Sequence, residues 1–171
     1  QDKDVDTTSS MATDDITAGT LATATFATAT DTPGFESVAT VSFTTAGRVE
    51  VGGKVKLVMP DEAGAQHSWR FADNKNPSVE TDGTNNPPAI AFTTPGADAP
   101  TAGTVGYTVN TRTLIFTVGD NDLKQATAHV FTVTNALTPS SVVGASNVVA
   151  TSQDSQDKDV DTTSTVATDQ V

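Results

Sequence analysis

LATATFATAT at Leu21–Thr30 and SVATVSFTT at Ser37–Thr45 alternate Thr or Ser with small and apolar residues, and the second stretch sets Ala39, Val41 and Phe43 on one side of the chain. A period of two is that of a half-buried strand, whose successive side chains point to opposite faces. Between the two runs, DTPG at Asp31–Gly34 supplies the Pro and Gly of a tight turn.

The pattern continues outward. In VEVGGKVKLVM at Val49–Met59, Val55, Leu57 and Met59 share a face, and the Gly52-Gly53 pair predicts a bulge or kink in one long strand. From Met59-Pro60 to Pro88 the chain is rich in Asp, Asn, Gly and Pro, with Trp69, Phe71 and Val79 as its anchors. Strand character returns in AIAFTT (Ala89–Thr94), TVGYTVN (Thr104–Asn110) and RTLIFTV (Arg112–Val118), with Asn110-Thr111 as a hairpin turn between the last two. In ATAHVFTVTNA, Ala128 and Val130 alternate and the face switches before Thr132 and Thr134; NVVATS at Asn147–Ser152 is the last strand of the series. Seven to nine short strands, no amphipathic helix and no βα alternation predict an all-β fold, an antiparallel immunoglobulin-like β-sandwich, with a closed barrel as the alternative.

The two ends of the chain are copies of each other. QDKDVDTTS at Gln1–Ser9 recurs unchanged at Gln156–Ser164, an offset of 155 residues. The match runs on as SMATDDI (Ser10–Ile16) against TVATDQV (Thr165–Val171), with Ser/Thr, Met/Val and Ile/Val exchanged conservatively. A fixed period of this length implies one whole domain per repeat, each with its own core. The organisation read from it is a joining strand at 1–14, a sandwich module at 15–155, and the start of the next repeat, again a joining strand, at 156–171. Both termini then read as cuts through a longer polypeptide.

Composition narrows the function classes. A chain of 171 residues, 36% of them hydrophobic, is long enough to bury a core without disulfides, and it has no Cys, which excludes thiol catalysis and zinc–thiolate sites. The formal charge of −12 repels phosphate backbones, so nucleic acid is not an expected partner, and no apolar run is long enough to span a bilayer. Thr is the commonest residue, followed by Ala and Val, while the helix formers Lys, Glu, Leu and Gln are scarce.

VATVSFTTAGRVEVGGKVKLVMP, then TVNTRTLIFTV, then HVFTVTNALTPSSVVGASNVVATSQDS together resemble the tandem immunoglobulin-like modules of large secreted surface and filament proteins of algae and bacteria. The resemblance covers most of the unit. It implies a fibrous or cell-surface role, extracellular, with strand sharing between neighbouring modules, and it carries over no catalytic residue. HSWRFADNKNPSVETDGTNNPP at His67–Pro88 stands as an insertion relative to those modules.

Few residues suggest chemistry. Asp2, Asp4 and Asp6, and their copies Asp157, Asp159 and Asp161, align carboxylates on one strand face as a candidate Ca²⁺ seat between modules, although the spacing lacks the Gly and the twelfth-position acid of an EF-hand. No other cofactor is expected. His67 and His129 are the only histidines and neither lies in a catalytic signature, so the chain is not expected to be an enzyme. Trp69, beside Arg70, is the candidate for stacking on a sugar ring. Asn76-Pro77-Ser78 carries the Pro that forbids N-glycosylation, whereas Thr32, Thr94 and Thr138, each followed by Pro, are candidates for O-glycosylation. The sequence thus favours a structural repeat unit of an extracellular fibre or surface filament, its partners being neighbouring copies of the same module joined through a shared or bridging strand. The second reading is an adhesin stalk or glycan-binding module that uses the 67–88 loop.

Overall fold

The structure is a computed structural model that describes residues 15–60, 68–73, 80–81 and 87–171. Their alternating sequence forms eleven strands and no α-helix: β1 (Gly19–Thr20), β2 (Ala22–Thr28), β3 (Glu36–Thr44), β4 (Lys54–Val58), β5 (Arg70–Phe71), β6 (Ile90–Thr94), β7 (Gly103–Thr108), β8 (Thr113–Val118), β9 (Ala128–Leu137), β10 (Asn147–Gln153) and β11 (Asp159–Ala167). They make two sheets rather than one closed barrel. One sheet has the order β1-β11-β10-β4-β8-β7; the other runs β2-β3-β9-β5, with β6 also on β9. Every pairing is antiparallel except that of β1 with β11.

The inner faces are those the period-two reading demands for the central strands. Ala39, Val41 and Phe43 of β3 and Val55 and Leu57 of β4, with Met59 just beyond it, are all buried. The adjacent strand β8 of the same sheet contributes Leu114, Phe116 and Val118, with Leu57 opposite Leu114 and Val55 opposite Phe116. Aromatic pairs tie one sheet to the other: Phe92 of β6 lies 5.2 Å from Phe116 of β8, and Phe71 of β5 meets Tyr107 of β7 edge-on at 5.3 Å. Each such pair adds about 0.5–1.5 kcal/mol to the burial of its rings.

Two local expectations are corrected. The Gly52-Gly53 pair does not bend one long strand; Gly52, at φ 88, closes a turn in which the Gly53 N–H donates to Glu50 O, and only Lys54–Val58 continues as strand. In β9 the inward residues are His129, Phe131 and Val133, not Ala128 and Val130, and the face switches at Asn135, in the left-handed region at φ 61, beyond which Ala136 and Leu137 are both buried. The expected hairpin turn at Asn110-Thr111 is present: a single 3-10 turn over Val109–Thr111, ending on Arg112 in the left-handed region, joins the antiparallel strands β7 and β8.

Among the described residues no helix is long and apolar enough to cross a membrane.

Candidate assembly site around the repeated segment

The second copy of the repeated segment is a strand of the first sheet. β11 pairs with β10 along most of its length, with Asn147 opposite Ala167 and Ser152 opposite Asp161, and β1 closes its other side in parallel, with Gly19 opposite Asp161 and Thr20 opposite Thr162. Its apolar side chains alternate inward as strand geometry requires: Val160 packs against the core and Val166 is buried.

Asp161 is the unusual residue of this strand. It is fully buried, its carboxylate accepting from Gly47 N at 3.1 and 3.2 Å and from Ser152 Oγ at 3.1 Å. A buried acid is tolerated only where such donors replace water. Gly19 makes room for it, and Gly47 for its neighbour Val160. A Cβ at Gly19 would collide with Asp161 Oδ1 and stand 2.8 Å from Ala46 Cβ, and one at Gly47 would collide with the Val160 side chain.

Beyond β11 the segment crosses to the second sheet. Thr168 exchanges hydrogen bonds with Ser146, its N–H donating to Ser146 O at 2.7 Å and its Oγ1 accepting from Ser146 N at 2.9 Å. Asp169 Oδ2 accepts from the Thr28 N–H at 2.7 Å, at the end of β2, and buried Val171 makes two backbone bonds with Val143, at 2.9 and 3.1 Å. Upstream, Asp154 Oδ1 accepts from the N–H groups of Gln156 and Lys158 and shapes the turn into the strand. From Gln156 to Val171, the copied residues are fixed at both ends and along their length.

The carboxylates proposed as a Ca²⁺ seat are engaged separately. Asp157 pairs with Lys54, Asp159 accepts from Gln153 Nε2 at 2.9 Å, and Asp161 is buried against Gly47 and Ser152. Among the described residues no group of three or more His, Asp or Glu is arranged to hold a metal. Asp2, Asp4 and Asp6, with the rest of 1–14, lie outside the described residues. The acids of the sequence GDND at Gly119–Asp122 also serve the fold: Asp120 accepts from Thr101 and Ala102, Asp122 from Arg48 and the Val51 N–H, and these bonds hold both carboxyls below the usual range.

Trp69 is corrected as a ligand residue. Its ring is fully buried, edge-on to Phe26 at 5.6 Å, and presents no face on which a sugar could stack. The sequence places it beside Arg70 of β5, and pairing of that short strand with β9 turns the indole inward. Of the loop at 67–88, residues 67, 74–79 and 82–86 lie outside the described residues. Thr138 is likewise buried. Its Oγ1 donates to Thr32 O at 2.7 Å and accepts from the Phe35 N–H at 2.8 Å, so it serves as an internal latch for the corner before β3, with no hydroxyl to offer a glycosyl donor. Thr32 is exposed, and Thr94 is half-buried before Pro95.

His129, buried between Phe43 and Phe92, has among the described residues only a long contact from Nε2 to Lys124 O at 3.4 Å, and burial lowers its pKa from the ordinary 6.5. The unfolded chain therefore takes up this proton more readily than the folded one, and stability falls as pH drops below 6.5, by at most ~1.4 kcal/mol per pH unit. The melting temperature is expected to decline between about pH 7 and about pH 5.5, and to do so less steeply in His129→Phe. Equal slopes in the two proteins would remove His129 as the cause.

Comparison with protein-family models, with curated proteins and with solved structures returns no match.

Proposed function

We propose that this chain is a structural repeat unit of an extracellular fibre or surface filament, an immunoglobulin-like β-sandwich joined to its neighbours through the segment that occurs at both ends. The observation that supports this reading is the role of the second copy: sixteen residues repeated at a fixed offset are also those that pair with β10 and β1 and seat a buried acid. A plain linker has no reason to keep such a sequence in register, whereas a paired strand must keep its alternation or its side chains change faces. The apolar side chains of both sheets, among them Val41, Phe43, Leu57 and Phe116, are spent on packing one shared core.

The glycan-binding reading draws on the 67–88 loop and on Trp69, and of these Trp69 is a buried core residue. Electron micrographs of the native material test the proposal. Regular fibres or surface filaments, labelled along their length by antibody to this unit, are the expected result; label confined to isolated particles would sink it.

A further inference from the structure

We infer that Gln1–Ile16 is the β11 of another unit, the one that precedes residues 17–171, so that the folded module is 17–171 and successive modules follow head to tail with only Thr17 and Ala18 between the closing strand of one and β1 of the next. This rests on reading the chain as a joined module.

The exchanges between the two copies carry the inference. At an offset of 155 residues, Val5, Asp6, Thr13 and Asp14 match Val160, Asp161, Thr168 and Asp169 without change. These four in the second copy pack against the core, fill the seat at Gly47 and Ser152, bond Ser146, and cap Thr28. The copies differ at four positions. In the aligned sequences buried Val166 and Val171 correspond to apolar Met11 and Ile16, exposed Gln170 to Asp15, and Thr165 to Ser10. Every residue seen to hold the strand is kept or replaced by one of the same kind, and the single gain of charge falls where the second copy is exposed. Ile16 itself is 99% exposed, beside the cavity it lines with Asp159, Val160 and Asp161, whereas its counterpart Val171 is buried. An exposed Ile at this position is explained if its burial site lies on a neighbour.

Chain geometry excludes the unit's own slot. Gly19 lies opposite Asp161, and β11 runs about 20 Å from there to Ala167 at ~3.3 Å per residue before Thr168–Val171 continue alongside Ser146–Val143. The three Cα steps from Ile16 to Gly19 reach at most ~11 Å. With Ile16 placed as Val171 is, Gly19 cannot reach its own sheet. The slot must therefore belong to a second unit. Because β1 and β11 are parallel, the offset between Ile16 and Val171 is directed along the strands, and it sets a rise of roughly 30–40 Å per module. A head-to-tail contact of this kind does not close on itself.

Asp161→Ala in the full chain is the test. It weakens the chain's own β11 and leaves intact an N-terminal copy that still carries Asp6, so molecules should exchange strands and sediment as dimers and longer chains in a concentration-dependent way. Asp6→Ala/Asp161→Ala should remain monomeric. A synthetic peptide of Gln1–Ile16 should raise the melting temperature of the Asp161→Ala chain toward the unsubstituted value, and the same peptide with Asp6→Ala should not. A monomeric Asp161→Ala chain whose melting the peptide leaves unchanged overturns the inference, as does equal association of the double variant. Loss of strand exchange would leave the filament role standing on a simple tether; strand exchange without filaments on the native material would remove the filament role alone.

Discussion

A chain ending at Ser155 is expected to lose its cooperative thermal transition, whereas a chain beginning at Asp15 keeps it. The first removes β11, and with it buried Val166 and Val171, each worth about 1.5 kcal/mol or more in apolar burial. It also leaves Ser152 and the Gly47 N–H without the carboxylate they bond, and it strips β10 of one neighbour, exposing a row of unpaired backbone groups. A buried donor left unpaired costs about 1–3 kcal/mol. Together these losses approach the 5–15 kcal/mol that typically holds a domain of this size. The second truncation touches none of these contacts, all of which lie within 15–171. Calorimetry of the two truncated chains decides the matter. A sharp transition in the chain ending at Ser155 would show that β11 is an accessory strand, and a melting temperature lowered by loss of 1–14 would give the first copy a role in its own module.

The contrast shows what a sequence repeat carries and what it lacks. Identity between Gln1–Ser9 and Gln156–Ser164 fixes the period, but any cut through a periodic chain yields the same period, so the phase of the folded unit is not in the pattern. Phase comes from pairing. β11 lies between β10 and β1, so the second copy is a strand of the same sheet as β4, β7 and β8, a placement that the repeat pattern by itself does not carry.

Elsewhere, legibility followed the strength of the alternation. In β3 and β4 the apolar residues occupy one parity, and the buried faces were readable directly. In β9, Val130 stands among Phe131 and Val133, so both parities carry apolar side chains, and the position of the switch depends on a single left-handed residue, Asn135, that no periodicity announces. β1 and β5, two residues each, exist only because β11 and β9 lie beside them. Asp161 was legible as an acid on a strand but not as a buried one, since its seat joins Ser152, across the β10–β11 hairpin, to Gly47, 114 residues away.

Trp69→Ala is expected to destabilise the module by ~3–5 kcal/mol, the cost of emptying a large core site that the surrounding chain cannot collapse to fill. Trp69 is the largest fully buried side chain, and its edge-on partner Phe26 lies on β2, across β3 and β9 from β5. Emptying the site therefore loosens the packing between two strands that share no hydrogen bonds, and the loss should appear as a melting temperature lowered throughout the module. Trp69→Phe should recover much of the stability. The buried Nε1 has no hydrogen-bond partner among the described residues, so the ring contributes through its apolar surface, and a smaller aromatic forfeits volume without orphaning a donor. As the only Trp in the chain, it reports its own environment: fluorescence should be blue-shifted in the folded protein and move to the red in the same transition that calorimetry detects. If Trp69→Ala melts with the unsubstituted protein, or if added oligosaccharide shifts the emission of the folded chain, the indole is at the surface and the core assignment fails.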